Sequence, residues 1–286
     1  MSVTAVGPAL DLDGPLPVAP EYSLLNSAQD SDNDPVIQVI TDNNRVFNSV
    51  NVWGYPTGKP LLWEPCSSGT FRDKSEAYDS DIALFSGIVA YLPIVCSTIS
   101  QDVAETARRA TVALDAKLSF GVEQALAKGV TGSTNPFLGD SNLTQLGGAA
   151  VLPQAGLNFL ENAIGQTGSQ GVIHATPGVV SAWNFVNLIT DNGEGHIETA
   201  NGTTVVSGGG YYNTDPSGKT GSDPTVGQEW AFATGPVKIY LGESPTLSPY
   251  QYIERDSNTV IFRAERFILP LWDTSLQSGV LIDWTP

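Results

Sequence analysis

The stretch from about Gln101 to Lys128 constrains the fold more than any other part of this chain. Val103, Ala107, Ala110, Leu114, Leu118, Val122 and Ala125 recur at spacings of three and four, which gathers them on one stripe of a helix. Thr98 or Ser100 can cap its first turn, and Lys128 followed by Gly129 reads as a stop that suits the helix dipole. Glu105 and Arg109 form a favourably ordered i,i+4 pair on another face. At 1.5 Å per residue the rod is about 42 Å long, well beyond the three turns of an average helix. A helix of that length serves as a spine in a flat or elongated subunit.

The flanking segments read differently. Residues 1 to about 35 mix Pro, Asp, Asn and small apolar residues without period, which suits an extended arm that needs a neighbouring surface to become ordered. From Val36 to Asp81 the pattern is β: VIQVI, the turn-like DNN at 42–44, RVFNSVNVW, then the breaker GYPTGKP at 54–60. Two strands around a long tip make a protruding hairpin, and Phe47, Trp53, Tyr55, Trp63 and Phe71 are hard to bury locally. A hairpin of this kind is marginal in water and needs something to rest on. The uncharged run Ile82–Gln101 has the length of a membrane span, but Pro93 at its centre and five Ser, Thr or Gly residues favour buried strand material leading to a helix start.

Beyond the helix, a Gly-, Ser- and Asn-rich loop (129–148) precedes a short α/β alternation. Pro153 opens a helix through Leu157, Leu160 and Ile164, which Gly165 and Gly168 close. VIHAT (172–176) reads as a buried strand, and Thr176 with Pro177 starts a helix over VVSAWNFVNLI. HIETA and TTVVS flank Asn201-Gly202, a dipeptide that favours a type I′ hairpin turn. The loop from Gly208 to Gln228 is long enough to suggest function or mobility, and the rest is β: EWAFAT, PVKIYLG, TVIFRAERFILPLW and SGVLIDW.

Charge narrows the function. Thirty acidic residues face 13 basic ones, a net charge of -17, and no Lys or Arg precedes Arg45. Phosphate backbones are repelled by such a chain, so sequence-specific nucleic-acid binding is nearly excluded, and a secretory or mitochondrial leader, which needs basic residues, is not expected. Cys66 and Cys96 lack zinc or redox spacing and read as two thiols in a reduced compartment rather than a bridge. Gly218-Lys219-Thr220 ends like a phosphate-binding loop, but Asn213 stands where the leading glycine belongs and no helix follows. Asp30, Asp32 and Asp34 have the spacing of a calcium loop, yet Pro35 replaces its glycine and Thr41 its bidentate Glu. His174 and His196 sit in no nucleophile or metal motif and read as structural. No catalytic residue, cofactor or metal site is expected. Trp53, Trp63 and Trp230 could form the platform of a β-rich glycan-binding module, although core or subunit contact is the commoner fate of such residues.

The order of parts is arm, protruding hairpin, long helix, α/β insertion and antiparallel return strands. With the segments AYLPIVCSTISQDVAETARRATVALDAKLSFGVEQALAKGVTG, GVIHATPGVVSAW, TANGTTVVSGGGYY, WAFATGPVKIYLGE and FRAERFILPLWD, it resembles the major capsid protein of tailed bacteriophages, whose Hong-Kong-ninety-seven-type shell fold is shared with encapsulins. The resemblance implies an α+β fold divided into an N-terminal arm (1–35), an extended β-hairpin loop (36–80), a peripheral domain with the spine helix (81–130), an axial α/β domain (131–258) and return strands of the peripheral domain (259–286).

It further implies a structural protein, not an enzyme, made in a host bacterium's cytoplasm. Copies assemble as pentamers and hexamers into an icosahedral shell around double-stranded DNA, with no membrane. Contacts between copies would involve Phe47, Trp53, Tyr55, Lys59, Trp63 and Phe71 of the loop and Glu105, Arg108 and Arg109 of the helix. An apolar arm gains about 25 cal/mol per Å² when another molecule covers it, head-to-tail contacts close into rings, and an acidic wall does not adhere to packaged duplex. The short arm implies a separate scaffold protein or none, beside portal and cement proteins. Lys59 lies near the loop tip, but no Asn partner for an isopeptide crosslink can be selected. Within the same fold the alternative is an encapsulin shell holding a cargo enzyme.

Overall fold

The computed structural model describes residues 15–27, 36–41, 50–53, 82–97, 103–192, 195–220, 224–242, 246–247, 252–254 and 259–284. The elements in chain order are β1 (Ile37–Thr41), β2 (Val50–Trp53), β3 (Ile82–Phe85), β4 (Ile88–Ser97), α1 (Val103–Lys128), β5 (Thr144–Val151), α2 (Pro153–Thr167), β6 (Val172–Ala175) and α3 (Pro177–Phe185). They continue as β7 (Ile189–Asp191), β8 (Ile197–Thr199), β9 (Thr204–Ser207), a 3-10 turn (Gly209–Tyr211), β10 (Gln228–Thr234), β11 (Val237–Leu241), β12 (Thr246–Leu247), β13 (Tyr252–Glu254), β14 (Thr259–Trp272) and β15 (Gln277–Asp283). The result is a mixed α+β chain with two large sheets and three α-helices among the described residues.

The six-stranded sheet is built on β14. Along one edge it pairs antiparallel with β11, β12 and β13 in turn, and along the other it pairs over ten positions with β4, from Thr259↔Ser97 to Ile268↔Ile88. The helix α1 packs on this sheet through the stripe its spacing predicts: Ala107, Ala110, Leu114, Leu118 and Val122 are all buried, joined at the end by Leu126 and Ala127 in place of the half-buried Ala125. The seven-stranded sheet runs β5-β15-β10-β6-β9-β8-β7. Its central strands β6 and β10 are buried almost throughout, with α2 and α3 contributing Leu157, Leu160, Ile164, Val179, Val180 and Trp183 to their core.

Several sequence readings need correction. The strand VIQVI is formed, but β1 pairs in parallel with β11 of the six-stranded sheet, whereas β2 pairs antiparallel with β3. The hairpin stems are therefore Val50–Trp53 and Ile82–Phe85, and the tip between them lies outside the described residues. The segment expected to be a loop over 129–148 contains most of β5, an exposed edge strand whose parallel register to β15 slips beside Gly147 and Gly148, where the pleat breaks. α3 stops at Phe185 rather than running to Ile189: Asn187 adopts a left-handed φ of 55°, which an Asn side chain tolerates, and Ile189 starts β7.

The β8–β9 hairpin carries a three-residue loop, because Thr199 pairs with Thr203 across it and only Gly202 takes a positive φ, of 80°. That geometry is a turn with a glycine bulge rather than type I′. The start of the loop after β9 is ordered against α1, since a Cβ on Gly210 would lie 2.6 Å from Gln124 N and Phe120 O of the helix backbone.

Two larger regroupings follow from the topology. Residues 259–286 do not act as one block: β14 belongs to the six-stranded sheet, and the chain then crosses at 273–276 so that β15 lies between β5 and β10. The reverse crossing at 235–236 takes the chain from β10 to β11, which places β11, β12 and β13 with β14 instead of with the strands before them. At the other terminus, residues 20–27 form turns on the subunit's own surface, with Ser23, Leu24 and Ser27 buried, so this part of the expected arm needs no neighbour to be ordered.

Candidate assembly surface

The surface of interest lies where α1 meets the edge strand β4. Along β4 the inward residues Ala90, Leu92 and Ile94 are half-buried against the core, while Val89, Tyr91 and Val95 point outward with 44%, 60% and 61% of their surface exposed. The strand is therefore not buried, as its uncharged sequence suggests, but half-buried with an apolar outer row. Arg263 of β14 lies over the Tyr91 ring at 5.1 Å, a cation–π contact that covers one face of the tyrosine. A groove of about 390 Å³ runs between the helix and the strand, lined by Val89, Tyr91, Leu114, Leu118, Phe120 and Val130. Phe120, half exposed, also lines a second cleft of about 450 Å³ with Pro177, Tyr212 and Trp284.

At the N-terminal end of α1, Glu105 receives Arg108 Nε and Nη2 at 2.9 and 2.7 Å and Arg109 Nε at 3.0 Å. These hydrogen bonds, Arg108 first, hold the Glu105 carboxyl down at about 2. The expected i,i+4 pair is thus a three-residue cluster that presents a fixed, exposed pattern of charge. Of the loop residues proposed to meet a neighbour, Trp53 ends β2 opposite Ile82, and Phe47, Tyr55, Lys59, Trp63 and Phe71 lie outside the described residues, as do Cys66 and the Asp30–Asp34 run. Val89, Tyr91, Val95 and Phe120 were missed. For the three strand residues the signal was the two-residue alternation inside Ile88–Ser97, masked because both faces of the strand are apolar, whereas Phe120 lies on α1 outside its apolar stripe.

The interior holds titratable groups in closed networks. His174 is fully buried, with Nδ1 2.9 Å from Tyr211 Oη and Nε2 2.9 Å from Thr234 Oγ1. Burial lowers its pKa to about 3, so the ring is neutral and serves as a structural link between β6, β10 and the 3-10 turn. Glu123 of α1 accepts from Leu24 N (3.0 Å), Gly210 N (3.0 Å) and Ser119 Oγ (3.1 Å); burial pushes its pKa up and these donors oppose the rise. Lys219 of the Gly218-Lys219-Thr220 run donates to the Ser141 carbonyl at 3.1 Å, and among the described residues after it no helix starts before β10. Trp230 is fully buried and stacks on Phe232 at 6.3 Å, which removes it from any glycan platform. Among the described residues, no three His, Cys, Asp or Glu side chains gather as a metal site, and no helix is long and apolar enough to cross a membrane.

No protein-family model and no curated protein matches the sequence. Solved structures do match along almost the whole chain. A chain of Mycobacterium phage Adephagia aligns at 12% identity with a TM-score of 0.54, covering 99% of this chain and 97% of its own. The capsid of a native GTA particle aligns at 12% identity and 0.53, again over 99% and 97%. The SrpI encapsulin complex of Synechococcus elongatus aligns at 11% identity and 0.50, over 98% and 93%. Two sheets exchanging strands at 235–236 and 273–276, with one 26-residue helix laid along β4 and β14, give this chain the capsid shell fold of phage major capsid proteins and encapsulins.

Proposed function

We propose that this chain is a phage major capsid protein: a structural subunit that catalyses nothing and self-assembles through pentamers and hexamers into an icosahedral shell enclosing double-stranded DNA. The observation that carries the reading is the fit to capsid and encapsulin subunits over 98–99% of the chain. The exposed apolar row Val89, Tyr91, Val95 and Phe120 supports it, because an uncovered row of this kind gains free energy only when another molecule removes it from water.

In this reading the segment between β2 and β3 is the extended loop. Tyr55, Lys59, Trp63 and Phe71 of that loop, Phe47 and Trp53 before it, and Glu105, Arg108 and Arg109 of α1 are the residues assigned to contact with an adjacent subunit. The six-stranded sheet with α1 is the peripheral part, and the seven-stranded sheet is the axial part gathered at fivefold and sixfold positions. The net charge of -17 keeps packaged DNA from adhering to the wall. The protein is made in the host bacterium's cytoplasm and ends in the virion, with a separate scaffold, a portal and cement proteins as further partners.

Electron microscopy of the purified protein, alone and with its scaffold, tests this. Closed shells are expected, and a strictly monomeric protein in both preparations overturns it. The similarity to an encapsulin supports a second reading, a shell around a cargo enzyme. Nuclease digestion and mass spectrometry of particle contents separate the two, DNA favouring the first and a single co-purifying enzyme the second.

A further inference from the structure

Residues 20–27 lie across the molecule as a strap. At one end the Tyr22 carbonyl accepts from Ser207 N of β9 at 2.9 Å, and the Tyr22 hydroxyl donates to Asp191 of β7 at 2.6 Å. At the other end Leu24 N donates to Glu123 Oε1 at 3.0 Å and Leu25 N to Ser119 Oγ at 3.1 Å, both on α1. One short segment therefore bridges the edge of the seven-stranded sheet and the helix that covers the six-stranded one. Its own fold is two successive turns: Ser23 N donates to the Pro20 carbonyl at 3.3 Å, and Asn26 N and Ser27 N donate to the Ser23 carbonyl at 3.1 and 2.8 Å.

The seating of this strap sets favourable and opposing terms side by side. Leu24 is fully buried and its removal from water favours docking. Against it, Ser23 and Ser27 are each 1% exposed and their hydroxyls have no hydrogen-bond partner. A buried hydroxyl that has given up water without a replacement opposes the docked state. The Glu123 carboxylate beneath is 1% exposed, and hydrogen-bond donors rather than a cation compensate for its burial. Leu24 belongs to the same buried cluster as Leu118, Val122 and Leu126, so its side chain is the apolar contact that holds the strap to the body.

We propose that residues 20–27 form a releasable strap with Glu123 as its latch. The strap opens as a unit from α1 and β9 while the body stays folded. The opening is a property of the single subunit and does not rest on the capsid reading.

Hydrogen exchange followed by mass spectrometry on the full chain tests the strap, comparing the unmodified protein with Leu24→Ala and with the pair Ser23→Ala and Ser27→Ala. Leu24→Ala should speed exchange of the Leu24 and Leu25 amides at least tenfold while amides in the middle of α1 are unchanged. The serine pair should slow strap exchange several-fold by removing the orphan hydroxyls. The proposal is overturned if strap and α1 amides exchange together in the unmodified protein, if Leu24→Ala melts the whole body or leaves strap exchange unaltered, or if the serine pair fails to slow it.

Discussion

The two sheets of this subunit are finished to different degrees. In the seven-stranded sheet β6 and β10 are buried by neighbours on both edges and helices above, and even the polar His174 finds both of its partners inside. In the six-stranded sheet the partner strand β4 has one covered face and one row of apolar residues in water. One chain has thus completed one core and left the other with a face to spare. In the proposed capsid reading, this open row is the surface assigned to contacts between copies.

The comparison can be broken first at the finished core. Trp230→Ala removes a fully buried ring that stacks on Phe232 and should destabilise the isolated subunit by about 3–5 kcal/mol, read by denaturant unfolding. A shift under about 1 kcal/mol would mean that this sheet is not the rigid half. Next comes the joint between halves. Gly210→Ala drives a Cβ into the α1 backbone at Gln124 N and Phe120 O, both 2.6 Å away, and should cost about 1–3 kcal/mol in the same assay.

Acid provides a third test. His174 titrates near 6.5 unfolded but is held at about 3 by burial, so the unfolded chain takes up the proton first and stability falls as pH drops through that window. Between pH 7 and pH 5 this single group should remove about 2 kcal/mol, and His174→Gln should flatten that part of the pH profile. The smallest effect on the subunit belongs to the open face. Tyr91→Ser should change subunit stability by no more than about 0.5 kcal/mol, because the ring is 60% exposed, yet it should weaken shell assembly measured by light scattering or microscopy. Unimpaired shells with Tyr91→Ser would show that the α1–β4 face is not a contact.

Much of the fold was legible because it is local. The α1 stripe, the Pro153 and Pro177 helix starts and the buried VIHA strand depend on spacing and backbone chemistry within a few residues. Those rules failed where they were overridden nearby: Asn187 cut α3 short, and Gly147 with Gly148 hid β5 because a strand broken by a glycine bulge has lost the alternation that identifies it. The candidate surface was less legible. Ile88–Ser97 is apolar on both faces, so no one-dimensional pattern distinguishes the row that packs on α1 from the row that faces solvent.

By itself the sequence determined most of the helices and strands, that the chain is acidic, and, through the order of its parts, the shell fold. Only the tertiary structure decided which sheet each strand joins, that residues 20–27 lie on their own subunit, and which apolar row is left uncovered. The physical reason is separation along the chain. Helix stripes and turns are fixed by neighbours a few residues apart, whereas β14 meets β4 and Leu24 meets Glu123 only after distant segments have been brought together, and the choice among such partners is made by burial of the whole core.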